Sequence, residues 1–394
     1  MTIHAGFMLF IWGIALGTAM AAAWLTHRHL NEQPAHLDAP FGLYPVSILK
    51  PLKGVDEGLA ENLESFFKID YPVFELLFSL SDSNDPARSV VENLIKKYPK
   101  VSVKLVISRV NIGPNPKVNN LVKTYESAKH EWLLISDSNV RVKPNYVKRL
   151  VAHLEPNVGM VTAVVAGQRP EGLGGYLEAT QLNTFITRGM ILADKLGHPC
   201  VIGKSMLFRR SVANRFGGIY VLGKYLAEDY MAGEAMRALG LRVVIAHDAV
   251  DQQIGKNSFE SFWQRHVRWG RIRKAQAPIP FSGELFLSCL VSGCLGAFGA
   301  RSAFGWSPAL FLACHLAVWA ACDAVAIRAL KCKLSIGVAL AWFLRELLVV
   351  PLWIKIASGN TVQWRGKELV IQSGGMIEIP NESPLLENAP AHTG

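Results

Sequence analysis

Short β-type runs alternating with helical periods predict an α/β domain over residues 44–280. Apolar sequence frames that domain on both sides. An uninterrupted apolar stretch opens the chain, and three more come after residue 283. Half of the 394 residues are apolar and the mean hydropathy is +0.22, high for a purely soluble enzyme. The chain is therefore expected to combine a globular domain with membrane helices.

Residues Ala5 to Leu25 are apolar over about 21 positions, enough to cross a bilayer as a helix. The flank His27-Arg28-His29 is basic and the head Met1–His4 has no Lys or Arg, which places the α/β domain in the cytoplasm. A basic n-region is lacking, so residues 1–28 read as a retained anchor rather than a cleaved signal. Within the domain, Val46–Leu49, Phe74–Leu80, Val101–Ser108, Trp132–Ser136, Val158–Val165 and Leu241–Ala246 read as strands. Helical patterns at Glu57–Lys68, Arg88–Tyr98, Tyr146–Leu154, Tyr230–Leu239 and Phe259–Lys274 complete the alternation. Such alternation implies a mostly parallel sheet with helices on both faces. The stretch Phe259–Lys274 mixes aromatic and basic residues, as an interfacial helix does.

Residues 283–357 hold about three membrane segments: Leu285–Ala300, Ser307–Ala329 and Leu334–Ala357. The first is short and Gly-rich, which points to a tilted or re-entrant path. Arg345-Glu346 stands in the middle of the last, where charge is tolerated mainly against protein or a wet cavity. A mutually neutralising pair inside the bundle is the expectation. An odd number of late spans would put Trp364-Arg365-Gly366-Lys367 outside, against its basic character; either one segment does not cross or the rule is broken. Residues 358–394 form a tail, and Glu378–Gly394 is rich in Pro, Glu and Asn, a composition that predicts disorder.

The formal charge of +10 is dispersed, suiting anionic lipid surfaces or phosphorylated ligands. No helix-turn-helix, zinc-finger or RNP pattern is present, so no nucleic-acid partner is expected. The six cysteines form no CxxC pair and match no zinc or disulfide framework.

The chemistry-bearing residues fall at strand ends. Asp82 closes Phe74–Ser81 and Asp137 closes Trp132–Ser136, so both face the crevice at the carboxyl edge of a parallel sheet. Asp137 with Asn139 could hold Mg2+ or Mn2+, hard cations that take carboxylate oxygens and neutralise a departing diphosphate. Asp82 would contact a nucleoside. Between them, Lys117 offers a point charge for phosphate, and Asn119 and Asn120 offer amides for sugar or ribose hydroxyls. Gly203-Lys204-Ser205 looks like the end of a P-loop, but His198 stands where that motif needs glycine. Glu228-Asp229 opens a helix, where a carboxylate stays ionised and can act as a base; Asp229 is the first choice and Glu228 the second. Arg265 and Arg268 could stabilise a diphosphate leaving group, and Trp269 could wall an acceptor site.

Together these motifs resemble the ceramide glucosyltransferase family. The resemblance rests on Ser47–Gly54, Asp82 with Asp85-Pro86-Ala87, Asn115-Pro116-Lys117-Val118-Asn119-Asn120-Leu121, Ser136-Asp137-Ser138, Ala227-Glu228-Asp229-Tyr230 and Arg265-x-x-Arg268-Trp269. It runs in order from about residue 46 to 270. It implies a GT-A fold, a UDP-sugar donor, inversion at the anomeric carbon and a lipid acceptor. It assigns Asp82 and Asp137 to UDP and the metal, Asp229 to the base, and Arg265, Arg268 and Trp269 to the closing motif. One departure concerns the acceptor: the animal ceramide enzymes carry a histidine in the stretch that here reads Thr184-Phe185-Ile186-Thr187-Arg188. The bacterial hopanoid-biosynthesis glycosyltransferases, which transfer N-acetylglucosamine to a hopanoid polyol, share the same frame. The expected function is inverting transfer of a hexose from a UDP-sugar to ceramide or a hopanoid at the cytoplasmic membrane face. A processive polysaccharide synthase and a non-catalytic membrane scaffold are the rivals.

Overall fold

A computed structural model describes residues 3–34, 44–364 and 367–378. The apolar N-terminal stretch lies within one long helix, α1 (Ile3–Asn31). The first half of the α/β domain alternates as expected: β1 (Val46–Pro51), α2 (Leu59–Phe67), β2 (Phe74–Leu80), α3 (Ala87–Lys97), β3 (Val103–Ile107), α4 (Pro116–Ser127) and β4 (Trp132–Ile135). The second half is less regular: β5 (Val140–Arg141), α5 (Tyr146–Val151), β6 (Val158–Glu171), α6 (Gly172–Gln181), a π-helical turn (Leu182–Ile186) and α7 (Thr187–Lys195). It continues through β7 (Met206–Arg209), α8 (Arg210–Asn214), α9 (Glu228–Ala238) and β8 (Arg242–Lys256).

The eight strands form one sheet in the order β3-β2-β1-β4-β7-β6-β8-β5. The pairs β1/β2, β2/β3, β1/β4 and β6/β8 are parallel. β7 is inserted antiparallel between β4 and β6, and β5 pairs antiparallel with β8. The sheet is thus mixed where the sequence pattern suggested mostly parallel, because the short β7 went unrecognised. Successive residues of the central strands are buried on opposite faces: Ile48, Leu76 and Leu134 pack with α2 and α3, while Leu49, Leu77 and Leu133 pack with α4 and α9. Burial on both faces is why these strands read as continuous apolar runs.

β6 and β8 run well beyond their apolar starts, to Glu171 and Lys256, as a long parallel pair with two register shifts. Their distal halves carry polar residues such as Gln168, Gln252 and Gln253, which hides them from a hydrophobicity pattern.

Beyond the domain come α10 (Phe259–Gln276), α11 (Pro278–Glu284), α12 (Cys289–Phe304), α13 (Pro308–Ala329) and α14 (Ile336–Ala357). Helices α1, α13 and α14 are each long and apolar enough to cross a membrane, and α11 with α12 is a fourth candidate bent by 58°. The glycines of α12 have a packing role. A Cβ at Gly296 would stand 2.5 Å from Trp12, and one at Gly293 2.5 Å from His315. Small residues on this face let α1 and α13 approach closely, as helices do in lipid.

Helix α14 touches the α/β domain along its length. Gly337 abuts Tyr176, Ala341 packs with Leu177 and Phe262, and Arg271 and Lys274 of α10 donate to the last carbonyls of α14. Those two side chains satisfy carbonyls that lack intrahelical donors. Part of the expected tail forms a small antiparallel sheet of β9 (Thr361–Trp364), β10 (Lys367–Ile371) and β11 (Ile377–Glu378). Its apolar side packs on Leu226 and on Ile272 and Ala275 of α10. Glu378 lies in β11, while the rest of the stretch expected to be disordered, together with Arg365-Gly366, lies outside the described residues.

Arg345-Glu346 belongs to a larger buried network. Arg345 pairs with Glu346, donates to Thr184 Oγ1 at 2.8 Å and lies 3.6 Å from Asp323. Asp323 also pairs with Arg188 at 2.8 Å and accepts from Trp342 Nε1 at 2.7 Å. The network joins α7, α13 and α14 to the π-helical turn. Replacing Asp323 by Leu leaves the Arg188 guanidinium buried without that carboxylate, at a cost of about 3–5 kcal/mol. Thermal unfolding of the detergent-solubilised protein should show a clear drop in midpoint; an unchanged midpoint would contradict a structural role for the network.

Candidate active site

Three loops at the carboxyl edge of the sheet bring Asp137, Lys117 and Glu228-Asp229 together. Asp137 comes directly after β4. Lys117 stands in the first turn of α4, whose N-cap is Asn115: its Oδ1 accepts from the N–H groups of Lys117 and Val118. The other end of the same amide donates to Tyr225 O at 2.8 Å and Glu228 Oε2 at 3.1 Å. Asn115 therefore caps one helix and ties it to the start of α9.

The Lys117 ammonium lies 2.8 Å from Asp137 Oδ1 and 2.8 Å from Glu228 Oε1. Burial works against its charge, but Asp137, Glu228 and Asp229 together raise its pKa above the ordinary value. Burial likewise opposes the charge of Asp137, yet Lys117 and Lys204 hold its carboxyl well below the usual carboxylate range. Lys204 Nζ sits between Asp137 Oδ2 at 3.3 Å and Asn139 Oδ1 at 3.0 Å. Burial lowers the pKa of Lys204. Lys50, fully buried on β1 with its ammonium 3.5 Å from the centre of the Phe66 ring, donates to the Asp137 carbonyl at 2.8 Å. Burial pushes Lys50 far down.

Asp229 is held by two backbone donors, Gly203 N at 2.6 Å and Tyr230 N at 2.8 Å. A Cβ at position 203 would stand 2.5 Å from Lys117 Nζ and 3.2 Å from Asp229 Oδ2, so the close approach requires glycine. Burial and then repulsion from Glu228 raise the Asp229 pKa to about 6, with Lys117 and the two N–H groups opposing. A carboxylate poised near neutrality beside an open edge suits a general base.

The remaining site residues expected from sequence occupy different settings. Asp82 lies half-exposed after β2, pairs with Arg109 at 3.3 Å and accepts from Asn84 N at 3.0 Å, outside the Lys117 cluster. Asn119 accepts from Ile112 N and donates to Gly113 O, and Asn120 donates to Leu52 O and Ser79 O. Both amides thus brace loops at the site rather than opening into it. On α10, Arg265 Nη1 donates to Glu178 at 3.0 Å and His266 Nε2 meets the other Glu178 oxygen at 3.1 Å. Although burial favours the neutral form, His266 and Arg265 draw Glu178 down to about 2. Trp269 contacts His266 edge-on at 5.3 Å and packs against the core, while the Arg268 guanidinium lies 6.0 Å from the Trp364 ring.

Lys50, Asn115, Glu178, Gly203, Lys204 and His266 were not among the expected site residues. Lys204 was visible only inside a rejected P-loop, and Glu178 lies 87 residues before Arg265, so no local spacing connects them.

The donor atoms suit a hard divalent cation. Asp137 and Asn139 converge two oxygens on one ammonium, which marks a position already shaped for positive charge.

Residues 8–377 match the family model described as glycosyl transferase family 21. Ceramide glucosyltransferase 3 of Caenorhabditis elegans is 32% identical over 341 residues, 85% of this chain and 74% of that protein. The ceramide glucosyltransferase of Komagataella phaffii is 28% identical over 425 residues, covering 84% of this chain and 83% of that one. These relatives give no support to the hopanoid branch. Among solved structures, a mannosyltransferase from Pyrobaculum calidifontis in complex with GDP-Man and Mn2+ matches with a TM-score of 0.50 at 19% identity. That match covers 83% of this chain and 97% of the other, and the fold is shared. A family model spanning residues 8–377, on a mixed sheet that gathers these carboxylates, makes the chain a GT-A glycosyltransferase belonging to glycosyl transferase family 21.

Proposed function

We propose that the protein transfers a hexose from a UDP-sugar to the hydroxyl of a membrane lipid, ceramide first, with inversion at the anomeric carbon. The observation that carries this is Asp229, raised to about 6 and aimed by the Gly203 and Tyr230 N–H groups beside the Lys117–Asp137–Glu228 cluster. Asp229 accepts the proton of the acceptor hydroxyl as its oxygen attacks the anomeric carbon. The bond from that carbon to the diphosphate breaks, and its electron pair leaves on UDP. Lys117 and Lys204 supply positive charge next to the departing diphosphate, and Arg265, fixed by Glu178, closes from α10 with Arg268 and Trp269. A divalent cation, as accompanies GDP-Man in the Pyrobaculum enzyme, would be held by Asp137 and Asn139 and would add Lewis-acid stabilisation of the leaving group. Asp82 serves the nucleoside end of the donor.

The catalytic domain faces the cytoplasm. His29, in the basic flank of α1, is hydrogen-bonded to Ala246 of β8, so the basic end of the anchor is on the domain's side. With both ends of α14 against the domain, α14 lies along the membrane face and presents Ile336, Leu340, Phe343, Leu347 and Ile354 outward. Spans α12 and α13 then return the chain to the side on which α1 ends, which suits the basic residues after α14. Three or four candidate spans are too few for a polymer channel, which disfavours a processive synthase.

Purified protein with Mn2+ or Mg2+, UDP-glucose and ceramide should yield a hexosyl ceramide detectable by mass spectrometry. Asp229→Asn should cut the rate by roughly 10²–10⁴-fold while leaving donor binding in place. Transfer only to a hopanoid, or polymer growth without lipid product, would overturn the acceptor assignment.

The rate should fall as pH drops through about 6, because protonated Asp229 cannot take the hydroxyl proton. Glu228→Gln removes the like charge beside Asp229 and leaves Lys117 less neutralised, and both changes lower the Asp229 pKa. The acid limb of the pH–rate profile should therefore move to lower pH in this variant. A limb that stays in place would exclude Asp229 as the group titrating.

A further inference from the structure

Where α1 leaves the apolar bundle, its last turns dock on β8 far along the sequence. His29, almost fully buried, points Nε2 at the Ala246 carbonyl at 3.2 Å. That contact makes Nε2 the protonated nitrogen and leaves Nδ1 with its lone pair free. Nδ1 is buried and has no hydrogen-bond partner among the described residues. Such a group is costly unless something fills it. The next residue on β8 is His247, whose Nδ1 is likewise buried without a partner and whose Nε2 lies 3.7 Å from Glu32 Oε2. One donor atom each from His29, Glu32 and His247 falls within 4.8 Å of the others.

We propose that His29, Glu32 and His247 bind a transition-metal ion of the Zn2+ class and so tie the membrane anchor to the catalytic sheet. Two imidazoles and a carboxylate form a recurrent zinc donor set, and the partly exposed side leaves room for a water as fourth ligand. Tetrahedral coordination with bonds of about 2.0–2.1 Å needs donor atoms roughly 3.3 Å apart, so modest side-chain rotation closes the site. An imidazole that gives its other N–H to a backbone carbonyl, as His29 does, is the usual outer-shell arrangement of a ligating histidine.

A further imidazole shapes the site from behind. His153 accepts from the His247 backbone N–H at 3.3 Å, and its ring lies 4.6 Å from the His247 ring, edge to face. Burial lowers the pKa of His247, which favours the neutral ring that binds metal, and burial with its two histidine neighbours takes the His153 pKa down to about 3. The nearby cations are already engaged: Arg28 pairs with Glu32 at 2.9 Å, Arg149 with Asp248, and Lys195 with Asp194 at 3.3 Å. Arg28 holds Glu32 Oε1, which leaves Oε2, the oxygen that faces His247, for the ion. The nitrogen-rich donors separate this site from Asp137 and Asn139, whose oxygens suit Mg2+ or Mn2+.

The test is calorimetric titration of chelator-stripped, full-length protein in detergent with Zn2+, alongside His29→Gln, His247→Gln and Asp137→Asn. We expect one equivalent bound by the wild type and by Asp137→Asn, with at least tenfold weaker binding in each histidine variant. Zinc-edge X-ray absorption of the wild type should show two imidazole nitrogens, a readout that survives if the variants misfold. Loss of the site in Asp137→Asn, unchanged affinity in both histidine variants, an all-oxygen shell or no binding at all would each overturn the proposal.

Discussion

The Lys117 ammonium is the contact on which the rest of the site depends. Asp137, Glu228 and Asp229 arrive from β4 and α9 into a space too dry for three carboxylates to ionise unassisted. Lys117 touches two of them at 2.8 Å and faces the third through Gly203. Its position is set by a helix cap, because Asn115 fixes the first turn of α4 with one end of its amide and grips Glu228 with the other. Local helix chemistry and long-range electrostatics are thus set by a single side chain. The uneven sharing of Lys117 also separates two carboxyls: Asp137, in direct contact, is held well below the usual carboxylate range, while Asp229, out of contact, keeps a raised pKa.

The same principle recurs on the membrane side. Arg188, Asp323, Arg345 and Glu346 are buried together, with Thr184 and Trp342 filling remaining hydrogen bonds. Charges this deep persist only when they face one another. Their effect is to bind α13 and α14 to the π-helical turn that continues α6, the helix carrying Glu178. Glu178 in turn aims Arg265 and His266 of α10. A continuous path of polar contacts and packed helices therefore leads from the membrane helices to Arg265, so that these helices and the α10 side of the candidate site share one scaffold.

Much of this was legible in the sequence because two-sided burial writes itself as continuous apolar runs. Strands β2 and β4 end just before Asp82 and Asp137, so these two candidates stood out at once, and Glu228-Asp229 was marked by its helix start. The four-residue β7 escaped notice beside Gly203-Lys204-Ser205, and with it went the antiparallel insertion and Lys204. Lys50 lay in plain sight within β1, but a fully buried lysine runs against every composition rule. Glu178 and His266 are invisible to pattern reasoning, since their meaning arises only when α6 and α10 cross. The glycines of α12 suggested a tilted or re-entrant path; the chain bends between α11 and α12, and the glycines themselves make room for Trp12 and His315.

Charge balance explains why such a site calls for a cation. Lys117 and Lys204 offset Asp137 and Glu228, and Asp229, with its pKa raised to about 6, is mostly ionised near neutral pH. The cluster is therefore net negative before a donor arrives. A sugar diphosphate alone would bring further negative charge into that space, and the low dielectric would amplify the repulsion. A divalent ion bound with it would restore the balance, and the oxygens of Asp137 and Asn139, now turned on Lys204, are the groups that would hold it. Released from them, Lys204 would lie beside the diphosphate, whose negative charge would take over from Asp137 in offsetting its burial. The lysine that occupies the cation position in the resting site would thus already be in place for the charge that transfer creates.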